Sequence, residues 1–508
     1  MNLTLNPGHT YLVEVAERDN DALVEVLGSK GELLSQSDHP ERRTGTRRAV
    51  LTAPETGSIS VRVTGKEHAN VAGTATVRAF DLANLDARPD CLAVMKALAA
   101  ADADYAAGQA ISRGLSPSPS ANARDRYLHA MQEYTSAQEA LPADSEPELR
   151  GQTELALAAL NYQGLQDWAT TAKWAQTAAA TLAPGDPYRR ARAQALLAAA
   201  WIELAQPGGS QPSPDLLDRA RILLDRLRRF HLRRGERYDA ALQISNIAVT
   251  YLYESRFADG ATASETSARL FDSVHEPQRR GQSWQNEALC LWGMGRLPEA
   301  MRLFERGLAD IGPEPVPFIY LSALNNTALA YYAEHHFDES LQLFDRALRF
   351  AEKMQFRRAE ALSLYGIGMN YYAIGDRDRA REFLERSLAI RTVALDSRGR
   401  MATVRALATV DADDGQLDKA VAWDREALSL AVAPASIARI RIQLAAHLAA
   451  AGHFEEAKAQ LDDVISSGTK VDPGIQAEAL LQRAVVLRQL GRTKDALADL
   501  AGARPRLH

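Results

Sequence analysis

"NTALAYYAEHHFDES" (326–340) has four sister segments in this chain, and their spacing decides the fold. "NIAVTYLYESRFADG" (246–260), "NEALCLWGMGRLPEA" (286–300), "GIGMNYYAIGDRDRA" (366–380) and "ALATVDADDGQLDKA" (406–420) follow one another at a strict step of 40 residues. Self-similarity at a fixed step of roughly 20–50 residues marks a stack of identical supersecondary units. Let the small residue near the start of each segment be position 8. Ala248, Ala288, Ala328, Gly368 and Ala408 then share one column, Gly260, Ala300, Ser340, Ala380 and Ala420 a second, and Ser267, Gly307, Ala347, Ser387 and Ala427 a third. A turn column of Ser255, Gly295, His335, Gly375 and Gly415 lies between the first two. Small residues at fixed places on both arms of a helical hairpin let the arms approach closely and let each hairpin dock on the next.

Weaker copies extend the array both ways. "QLAAHLAAAGHFEEAKAQLDDVI" (443–465) and "QRAVVLRQLGRTKDALADL" (482–500) follow the regular set. "LALAALNYQGLQDWATTAKWAQTAAA" (155–180) precedes it, as does a pair, "ALLAAAWIEL" and "DLLDRARILLDRL", split by the loop "AQPGGSQPSP". The pattern predicts about nine helical pairs, with 89–141 as the first. Residues 89–235 are degenerate repeats, 236–430 the regular ones and 431–508 a C-terminal set.

Residues 1–85 read differently. "HTYLVEVAE", "DALVEVLGSKGELLSQ", "RRAVLTA", "GSISVRVTG" and "GTATVRAFDL" are short, rich in Val, Thr, Leu and Ile, and separated by Asp, Asn, Gly and Pro. In "SISVRVT", Ile59, Val61 and Val63 point one way and Ser60, Arg62 and Thr64 the other, as in a half-buried strand. Strands at this spacing predict a small all-β sandwich. The expected fold is therefore mainly α, a right-handed α-α superhelix behind an N-terminal β-domain.

The totals exclude several function classes. Of 508 residues, 46% are apolar and 24% charged, with a net charge of −6, so no basic surplus exists to hold nucleic acid. No apolar run approaches the roughly 18 residues of a membrane helix. The start "MNLTLNPGHTYLVEV" lacks the regions of a signal peptide, which points to the cytoplasm. A trimmed mature form would read the same and place the protein in the periplasm or outside the cell. No cofactor motif is present.

The repeat columns resemble the tetratricopeptide repeat, in a 40-residue variant similar to that of kinesin light chains and many bacterial sensors. "NNTALAYYAEHHFDESLQLFDRAL" and "LYGIGMNYYAIGDRDRAREFLERSL" carry the likeness best. The front region, through "LNPGHTYLVEVAERDNDALVEVLGSKGELLSQSD", "APETGSISVRVTG" and "AGTATVRAF", resembles the β-domain related to bacterial pre-peptidase C-terminal domains. A β-domain of that kind before a tetratricopeptide array is similar to the front of bacterial CHAT proteins, which end in a caspase-like protease. Such activity needs a His-Gly turn and a nucleophilic Cys at strand ends. This sequence contains no His-Gly dipeptide, and Cys91 and Cys290 lie in helical sequence. The resemblance thus implies a non-enzymatic recognition part whose partner is a caspase-like catalytic domain outside this sequence.

Other chemistry is thin. His335 and His336 read as a solvated turn rather than a metal site, because spacing places no third ligand. Cys290 reads as core and Cys91 has no base near it. "DNDALVEV" (19–26) reads as a turn, since calcium takes about six or more oxygens. Arg233-Arg234, Arg279-Arg280, Arg357-Arg358 and Arg398 with Arg400 precede first helices and read as a partly ion-paired edge.

One polar pattern is left. Asn246, Asn286 and Asn326 all take position 6, on the first helix of three successive repeats. In tetratricopeptide arrays the first helices line a concave groove, and positions 2, 5, 9 and 12 share a face. Position 5 holds Ser245, Gln285, Asn325, Tyr365 and Arg405, and position 12 holds Leu252, Trp292, Tyr332 and Tyr372. An amide offers both donor and acceptor, so an asparagine column can pair with an extended peptide backbone while aromatics hold its side chains. Kinesin light chains and the O-linked GlcNAc transferase use similar ladders. The sequence predicts an interaction scaffold with a protein or peptide partner; the alternative is a structural spacer or oligomerisation arm.

Overall fold

The structure, a computed structural model, describes residues 2–6, 10–18, 22–28, 33–37, 45–52, 58–65, 74–81, 89–112, 123–141, 147–165, 167–182, 186–205, 213–312, 317–354, 356–393, 397–431, 434–468 and 471–504. It divides into two compact units. The first takes in Met1–Ala205 and Pro214–Gly295, and the second runs over Arg296–His508. The division falls inside the 236–430 stretch of regular repeats.

The first unit opens with seven strands, β1 (Asn2–Thr4), β2 (Thr10–Arg18), β3 (Ala22–Gly28), β4 (Leu33–Ser37), β5 (Gly45–Thr52), β6 (Ser58–Gly65) and β7 (Thr74–Asp81). They form two antiparallel sheets of order β1-β6-β3-β4 and β5-β2-β7. Val26, Ile59 and Val61 of one sheet and Tyr11, Val13 and Val77 of the other belong to one apolar cluster. Ile59 and Val61 are buried while Arg62 is exposed, the alternation a half-buried strand requires. The unit continues with α1 (Pro89–Ser112), α2 (Ala123–Ala140), α3 (Pro147–Leu160), α4 (Trp168–Thr181), α5 (Pro187–Leu204), α6 (Pro214–Arg233), α7 (Arg237–Tyr253), α8 (Phe257–Asp272) and α9 (Pro277–Gly293).

The second unit is helical throughout its described residues. Its elements are α10 (Leu297–Ile311), α11 (Pro317–Ala333), α12 (Phe337–Lys353), α13 (Arg357–Ala373), α14 (Arg377–Val393), α15 (Ser397–Asp413), α16 (Leu417–Leu430), α17 (Pro434–Ala450), α18 (Phe454–Ser466), α19 (Pro473–Gln489) and α20 (Thr493–Ala503). Among the described residues the chain thus holds twenty α-helices, where about nine helical pairs were expected. The degenerate copies at both ends fold as complete helices even where their column residues have drifted.

The columns have physical causes. Every member of the turn column has positive φ: Ser255 57°, Gly295 74°, His335 63°, Gly375 88° and Gly415 75°. At the Ser255, His335, Gly375 and Gly415 turns the next residue donates its N–H five residues back, as in His336 to the Tyr331 carbonyl (2.9 Å), Asp376 to Tyr371 (2.9 Å) and Gln416 to Asp411 (2.8 Å). This is the Schellman closure, which satisfies otherwise orphaned helix-end carbonyls and turns the chain into the second arm. The small columns are buried seams. Ser340 Oγ donates to the Ala328 carbonyl at 2.9 Å and Ser387 Oγ to that of Ala361 at 2.7 Å, so each hydroxyl is satisfied by the facing helix. A Cβ at Gly366 would lie 2.3 Å from the Phe344 ring, so Phe344 of α12 inserts against the backbone of α13.

Candidate functional site

Position 5 proves to be part of the stack. Gln285 and Asn325 are only 4% and 3% exposed. Ser363 Oγ, one helical pair further on, donates to Asn325 Oδ1 at 3.3 Å. Arg405 donates from Nε (3.1 Å) and Nη2 (2.9 Å) to Gln443 Oε1, and Gln443 Nε2 returns a bond to the Arg405 carbonyl at 3.3 Å. Asn325 and Arg405 thus meet the next first helix of their own unit. Tyr365 is half-buried under the Arg391 guanidinium, 5.3 Å from the ring centre. Burial pushes its hydroxyl pKa up, against the pull of Arg391, and the charges of Tyr332 and Arg405 are also felt there.

Positions 6 and 12 keep some access to solvent. Asn246, Asn286 and Asn326 are half-buried, as are Trp292, Tyr332 and Tyr372. The Asn246 and Asn326 side chains have no hydrogen-bond partner among the described residues, and Asn286 Nδ2 reaches Ser245 Oγ only at 3.5 Å. In the second unit the tyrosines gather. Tyr332 interacts electrostatically with both Tyr365 and Tyr372. Tyr332 sits 5.8 Å from Phe337, ring centre to ring centre, and burial raises its pKa. The Tyr372 hydroxyl donates to Asp413 Oδ2 at 2.7 Å, a bond that with partial burial pushes its pKa up to about 12. The neighbouring Tyr331 turns away from this group and donates to Glu305 Oε1 at 2.5 Å.

The unit therefore holds three tyrosines, an unpaired amide, Arg405 and Asp413 on its first helices. Such a surface offers apolar contact, hydrogen bonding and both charges, with no nucleophile-base pair among these groups. Asp413 and Gln443 were missed by sequence reading. They lie 41 and 38 residues after Tyr372 and Arg405, close to one repeat, and that spacing was the available signal. Asn370 was missed too. It is buried, donating to Ser340 Oγ (3.0 Å) and the Gly366 carbonyl (2.8 Å), and serves the fold.

The remaining candidates behave as packing or turn residues. His335 occupies a positive-φ turn position, and His336 lies 3.7 Å from Glu339. Among the described residues, ligand-type atoms converge at His231, Glu236 and Asp239. There His231 Nδ1 contacts Glu236 Oε2 at 2.7 Å while Arg234 holds Oε1 at 3.1 Å, an ion-paired clasp across the α6–α7 turn. Cys290 is buried against Gly260, where an added Cβ would fall 2.7 Å from Sγ. Burial, with the nearby Glu287 charge, pushes its thiol up to about 11. Cys91 lies in α1, with its side chain outside the described residues, as do Asp19, Asn20 and Asp21. The arginine edge is ion-paired: Arg280 with Asp272, Arg357 with Glu360 at 2.9 Å and Arg400 with Glu426 at 2.6 Å. No described helix is long and apolar enough to cross a membrane.

No curated protein matches the chain. Among solved structures, the apo form of the quorum sensor NprR from B. thuringiensis aligns at 14% identity and a TM-score of 0.48, covering 72% of this chain and 99% of that one. A Rap protein complexed with Competence and Sporulation Factor aligns at 13% identity and a TM-score of 0.46, covering 71% and 99%. A putative kinesin light chain from Podosopora anserina with nearly identical repeats aligns at 22% identity and 0.33, covering 38% and 98%. Residues 320–392 match the family model of the tetratricopeptide repeat.

Proposed function

We propose that the chain is a protein-interaction scaffold that holds an extended peptide or partner segment along the first helices of its repeats. The observation that carries this reading is that each unit by itself holds a half-buried amide, Asn246 in the first and Asn326 in the second, left without a protein partner among the described residues. A half-buried amide gains by pairing, and an extended main chain supplies both a donor and an acceptor. Beside Asn326, Tyr332 and Tyr372 offer partly open rings, and aromatic anchors of this kind dominate binding energy when a partner covers them. Gln285 and Asn325 support the stack beneath, while Tyr365 and Arg405 border the peptide path. By the resemblance of its sequence, the same reading makes residues 1–85 an accessory β-domain and the chain the recognition part of a system whose partner is a caspase-like catalytic domain.

The test is selection from a displayed peptide library on the full chain, followed by titration of the selected peptides. Tyr332→Ala with Tyr372→Ala, and separately Asn246→Ala, Asn286→Ala and Asn326→Ala together, are expected to lower affinity at least tenfold with little change in thermal midpoint. If the midpoint falls and peptide affinity stays, these residues belong to the fold and the chain is a spacer.

A further inference from the structure

Asp424 breaks a column. In the second unit the residue nine places after each positive-φ turn of a hairpin is Phe304, Phe344, Leu384, Asp424, Leu461 and Leu500, so one carboxylate stands in a series otherwise of Phe and Leu. Asp424 is nonetheless as enclosed as Phe304 and Leu384, at 0% exposed. It lies on α16 between Val421 and Ala427, both buried in apolar clusters. Its Oδ2 lies 2.6 Å from His447 Nδ1 on α17, and its Oδ1 has no hydrogen-bond partner among the described residues. His447 takes the place, five residues before a turn, that the buried Ala330, Asn370 and Val410 fill in earlier hairpins. It also stands in the last turn of α17, where the negative end of the helix favours a cation. Two ionisable groups thus meet across the seam of α16 and α17, in places the array gives mostly to apolar side chains.

An enclosed carboxylate destabilises a contact unless its charge and its lone pairs are matched. With an added proton the Asp424–His447 pair carries no net charge. Without it the seam encloses one negative charge and an oxygen that nothing satisfies. The charges felt at Asp424 are those of His447 on α17 and Arg405 on α15, and burial outweighs both, holding the carboxyl above its ordinary range. Other charged groups on the helices packed around the pair are engaged elsewhere: Asp411 with Arg381 at 2.9 Å, Arg441 with Asp463, Lys458 with Asp462 at 2.6 Å and Arg483 with Asp499 at 2.6 Å. A group held above its ordinary value lends stability that is present at low pH and is lost as the pH rises through the higher value. We propose that the seam of α16 and α17 is a proton-sensitive joint, firm while the pair keeps its extra proton and loosened when the proton leaves. The hairpin of α17 and α18 then opens from α16 more often as the pH rises.

The joint does not depend on the peptide reading. Its test is hydrogen–deuterium exchange of the full chain at about pH 6 and about pH 8, with each rate divided by that of the unfolded chain at the same pH, since exchange reads local opening directly. Protection of α17 is expected to fall about tenfold from the lower pH to the higher, while α11 to α13 in the same molecule keep theirs. Asp424→Asn keeps the shape and removes the charge, so α17 holds the high protection at both pH values. His447→Gln keeps a donor towards the carboxylate but takes no extra proton, so α17 shows the low protection at both. Equal protection of α17 at the two pH values in the wild type overturns the proposal. So does a fall that survives in either variant, which would trace it to another group.

Discussion

Phe344 and Leu500 stand in the same column of the repeat, on the second arm of a hairpin, and meet opposite fates. Phe344 is sealed between its own first helix and the glycine-lined face of α13, while Leu500 looks outward from α20. Both hairpins obey the same local rules, with a small residue at position 8 and a positive-φ turn at Gly491 as at His335. The difference is the neighbour. In a solenoid each hairpin supplies half of an apolar interface, so a residue at the Phe344 position is core only where a neighbouring helix covers it.

The comparison breaks most sharply by truncation. Phe344→Ala should cost about 3–5 kcal/mol in urea unfolding, the usual loss for a fully buried aromatic that leaves a cavity. Gly366→Ala attacks the same contact from the other side. Its Cβ would fall 2.3 Å from the Phe344 ring, and the overpacking should cost about 1–3 kcal/mol, with part recovered when Phe344→Leu is added.

The turn column sharpens the comparison from the other direction. Ser255 and His335 hold φ of 57° and 63°, a region where a Cβ is strained. Ser255→Gly and His335→Gly should each stabilise by about 0.5–1 kcal/mol, and Gly375→Ala, at φ 88°, should destabilise by a similar amount. At the bare end, Leu500→Ala should change monomer stability by less than about 0.5 kcal/mol, because little cavity forms at an exposed site. A finding that Leu500→Ala costs as much as Phe344→Ala would mean that α20 is covered in solution.

Cys290 checks how tight the seams of the first unit are. Its thiol is pushed up to about 11 by burial, so at pH 8 it is protonated as well as enclosed. A thiol reagent at that pH should label it only after unfolding.

Much of this was legible beforehand. The four columns at 40-residue spacing announced small, buried contacts and a special turn, because close helix approach and left-handed backbone each admit few residue types. The face of a given residue was less legible. Asn325 and Asn326 are adjacent amides on one helix, separated by about 100° of rotation. Asn325 is buried against Ser363 and Asn326 is half-exposed, although both were read as groove residues. Repeat spacing alone states which positions are equivalent but not where the next helix lies. Asp413 and Gln443 escaped notice for the same reason, since their partners sit a full repeat away.

The period, the turn positions and the small-residue seams were thus determined by the sequence itself, because each rests on sterics within one hairpin. Which polar residues are consumed by the stack and which amides stay open were decided only by tertiary structure. Those outcomes depend on the rotation of one hairpin against the next, which arises from many side-chain contacts at once and leaves no local mark.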